Sequence, residues 1–220
     1  MTNFFQVKKK SKLSNARLGL INTAHGKINT PSFIFCGTKA TVKSVLPSQL
    51  KLARTQIILS NTYHLMLQPG SEIISKEGGL QSFTDWNGPM MTDSGGYQIF
   101  SLGYGSVSEE IKGKNNNAKR KSLIKITEDG ASFRNYINGD KVFLSPERSI
   151  ELQRDFGADL IFVLDECTPF NVSKKYTEKS MYMSHRWAER CINSFDSKFK
   201  KYNSTFGSSG KQSLYGIIQG

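Results

Sequence analysis

Short apolar runs alternate with helix-like segments along most of the chain. Five runs are almost continuously apolar, and they cover residues 32–36, 56–60, 89–92, 159–164 and 213–218. Continuous apolar runs of this length are typical of strands buried on both faces of a parallel sheet. The pattern therefore predicts an α/β fold, either a barrel or a doubly wound sheet.

Helices are predicted between these runs, over residues 48–54, 71–76, 147–156 and 177–195. The third has the clearest boundaries, because Ser145 is a suitable cap and Pro146 takes the first helical position. Gly157 follows its predicted end. Repeated strand-then-helix units favour a parallel sheet with helical connections.

The pair Asn138-Gly139 interrupts this alternation. It separates residues 132–137 from residues 141–144 and predicts a hairpin, because this dipeptide favours the tight turns that join antiparallel strands. A small antiparallel element is therefore expected beside the parallel sheet.

Two segments, residues 104–125 and 198–211, are rich in Lys, Asn, Ser and Gly. Both are predicted as surface loops, since neither carries the apolar positions that a core requires. They are interpreted as tolerated insertions, with contact to RNA as the alternative.

Composition adds a strong positive charge to this picture. The 220 residues carry 30 Lys and Arg against 18 Asp and Glu, a net charge of +12, and no acid precedes Glu72. A basic surface suits a phosphate backbone, although an ordinary solvated surface has the same composition.

No apolar run reaches the length of about 20 residues that a membrane span needs, and the first residues lack the apolar centre of a signal peptide. A cytoplasmic protein that does not bind membranes is therefore expected. The three cysteines, Cys36, Cys167 and Cys191, lie far apart and form no C-x-x-C pair. Reduced thiols are expected, with neither a disulfide framework nor a complete zinc site.

Polar side chains follow three of the predicted strands. Asp93, Asp165 and Gln219 each come directly after an apolar run. The carboxyl ends of parallel strands form the active face of an α/β barrel, so these side chains are expected to lie at one face, where a flat heterocycle would fit.

The residues around these carboxylates leave two interpretations open. Gly95 and Gly96 allow the backbone to approach a ligand closely, and Tyr97 can stack on a planar ring. The alternative is that Asp93 or Ser94 only caps a turn that the glycines form. Asp165 is followed by Glu166, and two adjacent carboxylates at the end of a buried strand are costly, but one of them could cap a helix.

Seven stretches of the chain resemble, in order, signature segments of the bacterial tRNA-guanine transglycosylases. They are HGKINTP at 25–31, SNTYHL at 60–65, TDSGGYQ at 92–98, LSPERS at 144–149, DECTPF at 165–170, RWAER at 186–190 and YGIIQG at 215–220. Each stretch is weak by itself, but seven in the same order are a specific signal.

The resemblance implies a fold and an activity. The family fold is a (β/α)8 TIM barrel, and residues 1–220 resemble its amino-terminal part, an incomplete barrel domain with a small antiparallel element. Family members are pentosyltransferases that act on tRNAs for Asp, Asn, His and Tyr. They exchange guanine at the anticodon wobble position for 7-aminomethyl-7-deazaguanine, a precursor of queuosine, by double displacement.

Residue roles follow from the resemblance position by position. Asp93 resembles the general acid/base, Asp165 the group that binds the polar edge of the purine, and Gln219 the base-recognising glutamine. Tyr97 would stack on the base and Cys167 would line the pocket, although a cysteine here could equally be a small apolar filler. The substrate-binding set implied by the family is Asp93, Ser94, Gly95, Gly96, Tyr97, Asp165, Cys167, Gln219 and Gly220.

The family also has features whose residues are expected after Gly220. These are the nucleophilic aspartate, which base exchange through a covalent intermediate requires, and a structural zinc site whose ligands are absent from this chain. The 220 residues alone are therefore expected to be poorly stable and inactive. The family partners are tRNA and a guanine or deazaguanine base, and bacterial members form homodimers.

Two other interpretations remain. One is a non-catalytic tRNA-binding partner subunit, although such a subunit has no need for both Asp93 and Asp165. The other is a decayed gene fragment whose residues only record ancestry.

Overall fold

The computed structural model describes residues 4–104, 125–169, 172–197 and 212–219. Its strands are β1 (Phe5–Lys10), β2 (Arg17–Thr23), β3 (Gly26–Thr30), β4 (Phe35–Cys36), β5 (Ile58–Ser60), β6 (Met90–Thr92), β7 (Lys125–Thr127), β8 (Gly130–Arg134), β9 (Lys141–Leu144), β10 (Leu160–Phe162) and β11 (Ser213–Tyr215). Its helices are α1 (Pro47–Leu52), α2 (Thr62–Leu67), α3 (Ser71–Lys76), α4 (Leu80–Thr84), α5 (Gly96–Tyr104), α6 (Pro146–Phe156) and α7 (Lys174–Ser197).

A five-stranded parallel sheet forms the centre of the molecule. Its spatial order is β11-β10-β6-β5-β4, and every neighbouring pair is parallel. Each strand lies inside one of the five predicted apolar runs, so the α/β class with a parallel sheet is confirmed. The strands are shorter than the runs, and some apolar residues at the run ends, such as Phe33 and Ile218, are exposed.

Both faces of this sheet are covered, which explains the continuous apolar runs. Met90 and Ile161 face the large core formed with the helices, whereas their neighbours Met91 and Leu160 face a second cluster that includes Ile28 of β3. Alternate residues of one strand therefore enter two different cores.

The second cluster lies between the parallel sheet and an antiparallel sheet, β1-β2-β3. This antiparallel sheet was not predicted from the sequence. It lies at the amino ends of the parallel strands, where the Asn29 N–H donates to Gln56 Oε1 at 2.8 Å and the Gly26 backbone lies against Pro89. Lysines make up much of β1, and its last four residues are exposed. A strand with so few buried positions carries almost no apolar pattern to detect.

The predicted hairpin is confirmed as β8 and β9, which pair antiparallel with Gly139 at φ +79° in the turn. A third strand, β7, pairs with β8. The loop predicted over residues 104–125 is wrong at both ends, since its first residue ends α5 and its last begins β7. Residues 105–124 and the loop predicted over residues 198–211 lie outside the described residues.

The capping signals of the third predicted helix are confirmed in α6. Ser145 Oγ accepts a hydrogen bond from the Arg148 N–H at 3.1 Å, and Gly157 ends the helix with φ +72°. The helix α7 is longer than predicted and packs on α6 through one face, whose buried residues are Ser180, Met183, Trp187, Cys191 and Ser194.

Three helices, α2, α4 and α5, were not predicted. The first two have only six and five residues, too few for a helical period to show. The third begins at Gly96, inside the glycine-rich stretch for which a turn was one of the two interpretations. None of the helices within the described ranges combines the length and apolar character needed to cross a membrane.

Candidate functional site

The predicted polar residues meet at the carboxyl edge of the parallel sheet. Asp93 directly follows β6, and Asp165 follows β10, its neighbour in the sheet. Gln219 follows β11, and its Nε2 donates to Asp165 Oδ2. The structure thus brings together the three side chains that the sequence placed after separate strands.

Asp93 accepts hydrogen bonds from three donors, of which Gln98 lies in α5, Thr62 begins α2 and Asn61 directly precedes α2. Asn61 Nδ2 donates to Oδ2 at 2.6 Å, and Gln98 Nε2 donates to the same oxygen at 2.9 Å. The Thr62 N–H donates to Oδ1 at 2.8 Å. Burial raises the pKa of Asp93 above its ordinary value, and these three hydrogen bonds oppose the increase without cancelling it.

Asp165 is perturbed in the same direction. Burial is the main cause of its raised pKa, the hydrogen bond from Gln219 opposes it, and the nearby charge of Asp93 adds to it. Each carboxyl group therefore keeps its proton to a higher pH than a solvated aspartate does. Such a pair can hold a proton and accept the N–H groups of a heterocycle.

A buried glutamine of α6 fixes the strands that carry the two aspartates. Thr92 Oγ1 donates to Gln153 Oε1 at 3.1 Å, and the Phe162 N–H donates to the same oxygen at 2.9 Å. Gln153 Nε2 in turn donates to the Phe162 carbonyl at 2.8 Å. Because β6 and β10 share only a short backbone pairing, this side chain sets their separation at the site.

The two glycines have packing reasons for their positions. Gly95 has φ +90°, a conformation that disfavours any side chain. A Cβ at Gly96 would lie 2.7 Å from the Asp165 carbonyl oxygen and 3.0 Å from Asp165 Oδ1. The glycines therefore allow α5 to approach Asp165 closely, and ligand binding is not needed to explain them.

The polar groups of Ser94 are also hydrogen-bonded within the protein. It is 4% exposed, its carbonyl accepts from Ser149 Oγ at 2.8 Å, and its Oγ accepts from the Gly96 N–H at 3.4 Å. These contacts fix the turn between β6 and α5, and a role for Ser94 in substrate binding stays a prediction.

Tyr97 and Cys167 occupy different surroundings. Tyr97 is 51% exposed and its ring lies 6.1 Å from that of Phe100. Cys167 is partly buried and lines, with Asp165 and Trp187, a cavity that holds about one water molecule. A purine-sized cavity between Asp93 and Asp165, which the family resemblance implies, stays a prediction. Gly220 lies outside the described residues.

The neighbouring carboxylate, Glu166, turns away from the pair. It is 7% exposed and accepts a hydrogen bond from Tyr176 Oη at 2.5 Å, while its N–H donates to Ser184 Oγ at 3.0 Å. Its carbonyl accepts from Gln219 Nε2 at 3.1 Å. Glu166 therefore ties the segment after β10 to α7 and supports the geometry of Asp165.

Three side-chain amides of the site, those of Asn61, Gln98 and Gln153, were not predicted as site residues from the sequence. Asn61 and Gln98 both lie in the stretches that carry the family resemblance, and position after a strand was a signal for Asn61, which directly follows β5. Gln153 had no such signal, because its contacts form only when α6 packs on the sheet.

The described residues contain no group of three or more His, Cys, Asp or Glu side chains placed to hold a metal ion. Cys36 is exposed in β4, Cys191 is buried in α7, and Cys167 lies in the segment between β10 and α7. The described residues therefore do not form the zinc site that the resemblance implies.

Comparison with known proteins shows which family the chain resembles. A family model described as queuine tRNA-ribosyltransferase matches residues 11–220. A queuine tRNA-ribosyltransferase of Roseiflexus sp. (strain RS-1) is 45% identical over 193 residues, which cover 87% of this chain and 48% of the relative. Proteins of the same name from Staphylococcus haemolyticus (strain JCSC1435) and Staphylococcus aureus (strain JH9) are 44% and 43% identical, each over 96% of this chain and 48% of the relative. The chain thus spans about half the length of the curated relatives that it matches.

Proposed function

Because the chain belongs to the queuine tRNA-ribosyltransferase family, we propose that its protein is a tRNA-guanine transglycosylase whose base site is built on Asp93 and Asp165. The observation that carries the proposal is the meeting of both carboxylates, with Gln219 bonded to one of them, at a single edge of the sheet. The substrates proposed are tRNAs for Asp, Asn, His and Tyr and the base 7-aminomethyl-7-deazaguanine.

Base exchange needs a group that moves a proton. When the bond between guanine and ribose breaks, the leaving base takes the bonding electron pair and must gain a proton, and the incoming base must lose an N–H proton to form the new bond. Asp93 is the proposed acid and base for both steps. The raised pKa of its buried carboxyl supports this role, since a proton donor is most effective when its pKa approaches the working pH.

Recognition of the base is assigned to Asp165 and Gln219. A carboxylate accepts hydrogen bonds from the ring N–H and exocyclic amine of guanine, and a glutamine amide donates to its carbonyl. In the structure Gln219 Nε2 is bonded to Asp165 itself. We propose that a bound base replaces this contact, while Tyr97, exposed at the same edge, stacks on its ring.

Double displacement also requires a carboxylate nucleophile that holds the ribose as a covalent intermediate. No residue of this chain is assigned that role. The (β/α)8 barrel, the homodimer and the cytoplasmic location implied by the family are proposed on the same resemblance, with residues 1–220 as one part of the barrel domain. Support for the barrel is the position of the candidate site at the carboxyl ends of parallel strands, with β1–β3 at the opposite ends.

The test is exchange of radiolabelled guanine into unmodified tRNA by the full natural protein that carries this sequence. Exchange is expected for the wild type, a loss of at least about a hundredfold in kcat for Asp93→Asn, and a raised KM for guanine in Asp165→Asn. Asp85→Asn is the matched control, because Asp85 is exposed and its left-handed backbone (φ +53°) tolerates asparagine.

Binding of tRNA without any exchange by the wild type would favour the non-catalytic partner subunit. Exchange that survives unchanged in Asp93→Asn would remove the assigned acid/base.

A further inference from the structure

We propose that Lys39, His64 and Tyr136, called here the rim cluster, form a subsite for a nucleotide next to the exchanged guanosine, with Tyr136 stacking on it and Lys39 pairing with its phosphate. This inference rests on the proposed function and goes beyond it, since the residues lie outside the base site.

Three distant parts of the chain build the rim cluster. Lys39 follows β4, His64 lies in α2, and Tyr136 lies in the turn between β8 and β9. Lys39 Nζ is 5.6 Å from the centroid of the Tyr136 ring, within cation–π range. His64 Nδ1 is 3.3 Å from Tyr136 Oη, and the two rings meet edge to face at 5.9 Å.

The helix α2 links the cluster to the proposed acid/base. The Thr62 N–H, two residues before His64, donates to Asp93 Oδ1. The charge of Asp93 also acts on His64: burial and the Lys39 ammonium lower the pKa of His64, and Asp93 opposes them. A lowered pKa keeps the imidazole neutral near pH 7, so that Lys39 remains the charged group of the cluster.

The buried ring of Tyr63 stacks on the ring of Tyr136. Tyr63 is 1% exposed, its ring lies nearly parallel to that of Tyr136 at 6.2 Å, and it also contacts Phe133 at 5.2 Å. Tyr136 itself is 48% exposed. A ring that is fixed on one side and open to solvent on the other is a platform that loses little conformational entropy when a ligand stacks on it.

This chemistry suits a nucleotide within a nucleic-acid chain. Aromatic rings stack on unpaired bases, and a neighbouring ammonium neutralises the backbone phosphate. A free purine base has no phosphate for Lys39 to contact. The rim cluster is therefore expected to act on the RNA substrate and to have no effect on the free base.

The experiment measures KM separately for tRNA and for free guanine in the exchange reaction of the full natural protein. Tyr136→Ala is expected to raise the KM for tRNA about tenfold and to leave kcat and the KM for guanine within about twofold. Tyr136→Phe, which keeps the ring, should restore the KM for tRNA, and Lys39→Met should raise it. Lys8→Met is the control, because Lys8 is an exposed lysine on β1, at the opposite end of the sheet.

Equal changes in both KM values, or a change confined to kcat, would overturn the subsite in favour of a structural role for Tyr136. An unchanged KM for tRNA in both Tyr136→Ala and Lys39→Met would overturn it outright. If the wild type shows no exchange, the proposed function fails, and direct binding of a fluorescent anticodon stem-loop RNA still tests the rim cluster with the same variants.

Discussion

At the scale of single residues, Gly96 determines how closely α5 approaches Asp165. The position of an added Cβ, 2.7 Å from a backbone oxygen and 3.0 Å from the carboxylate, leaves no room for even one methyl group. Neither neighbour is the flexible end of a long side chain, so the backbone itself has to move. A substitution of Gly96 therefore changes the position of Asp165 as well as the packing of α5.

Gly96→Ala is expected to lower the free energy of unfolding by about 1–3 kcal/mol, the usual cost of forcing a methylene into a packed site. Urea unfolding of the full natural protein measures the change. Gly216→Ala is the matched control, since a Cβ at Gly216 meets nothing within 4 Å and its φ lies outside the left-handed region. Equal midpoints for the two variants would contradict the close approach.

Single residues also show what a sequence reveals about a site. Asp93 and Asp165 were predicted because each follows an apolar strand, and position relative to a strand can be seen in sequence alone. Gln153 bonds to Thr92, which is 61 positions away in the sequence, and to Phe162, which is 9 positions away. The residues around it in the sequence do not distinguish it from a surface glutamine. Partners that meet only through packing leave no local pattern.

At the scale of elements, one histidine ties the antiparallel sheet β1–β3 to the parallel sheet. His25 Nδ1 lies 2.9 Å from Asp159 Oδ1, and the His25 N–H donates to the same oxygen. Asp159 is 2% exposed and also accepts from the Gln81 side chain and the Met90 N–H. Asp159 immediately precedes β10, so the contact holds the turn between β2 and β3 against the amino ends of the parallel strands.

This contact predicts a pH dependence of stability. The hydrogen bond that His25 Nδ1 donates to the Asp159 carboxylate is the main cause of the raised pKa of His25, so protonated His25 stabilises the folded state. The contribution is fully present below the unfolded pKa of 6.5 and is lost as the pH rises through the folded pKa.

His25→Ala is therefore expected to lower the free energy of unfolding by about 1 kcal/mol or more near pH 5.5, and by less near pH 9. Urea unfolding at the two pH values measures the difference. His185→Ala, at an exposed position of α7, is the control. A loss in His25→Ala that is the same at both pH values would show that charge has no part in the contact.

Elements differ in how far they could be predicted. The buried parallel strands and α6 were found because burial on two faces and a complete set of capping residues leave clear signals. The strands β1 to β3 were missed because most of their residues are partly or fully exposed, and α5 was missed because its first residue is a glycine. Packing against the rest of the fold stabilises such elements more than local preference does.

At the scale of the whole molecule, lysines of the described residues lie at both ends of the parallel sheet. Lys8, Lys9 and Lys10 lie on β1 at the amino end, whereas Lys39 lies beside the candidate site. The composition alone predicted that this protein has a basic surface for a partner, but not where on the molecule that surface lies. The fold separates these charges, and Lys39 lies on the side of the proposed base site.

The affinity of the full natural protein for tRNA is expected to fall as salt rises, because bound phosphates release counterions. Lys39→Met should reduce the slope of log affinity against log salt by about 1, whereas Lys8→Met should leave it unchanged. Fluorescence anisotropy across a salt series gives both slopes. Affinity that is independent of salt would contradict an electrostatic contribution to binding.

The tie between His25 and Asp159 also has a consequence for synthesis on the ribosome. The two residues are separated by 134 positions, and translation adds about 5–20 residues per second. His25 is therefore synthesised roughly 7–27 s before the aspartate that anchors it. During that interval the apolar side of the first strands, with Ile21 and Ile28, can contact Ile57 and Met91 but lacks the cover that Leu160 and Phe162 add.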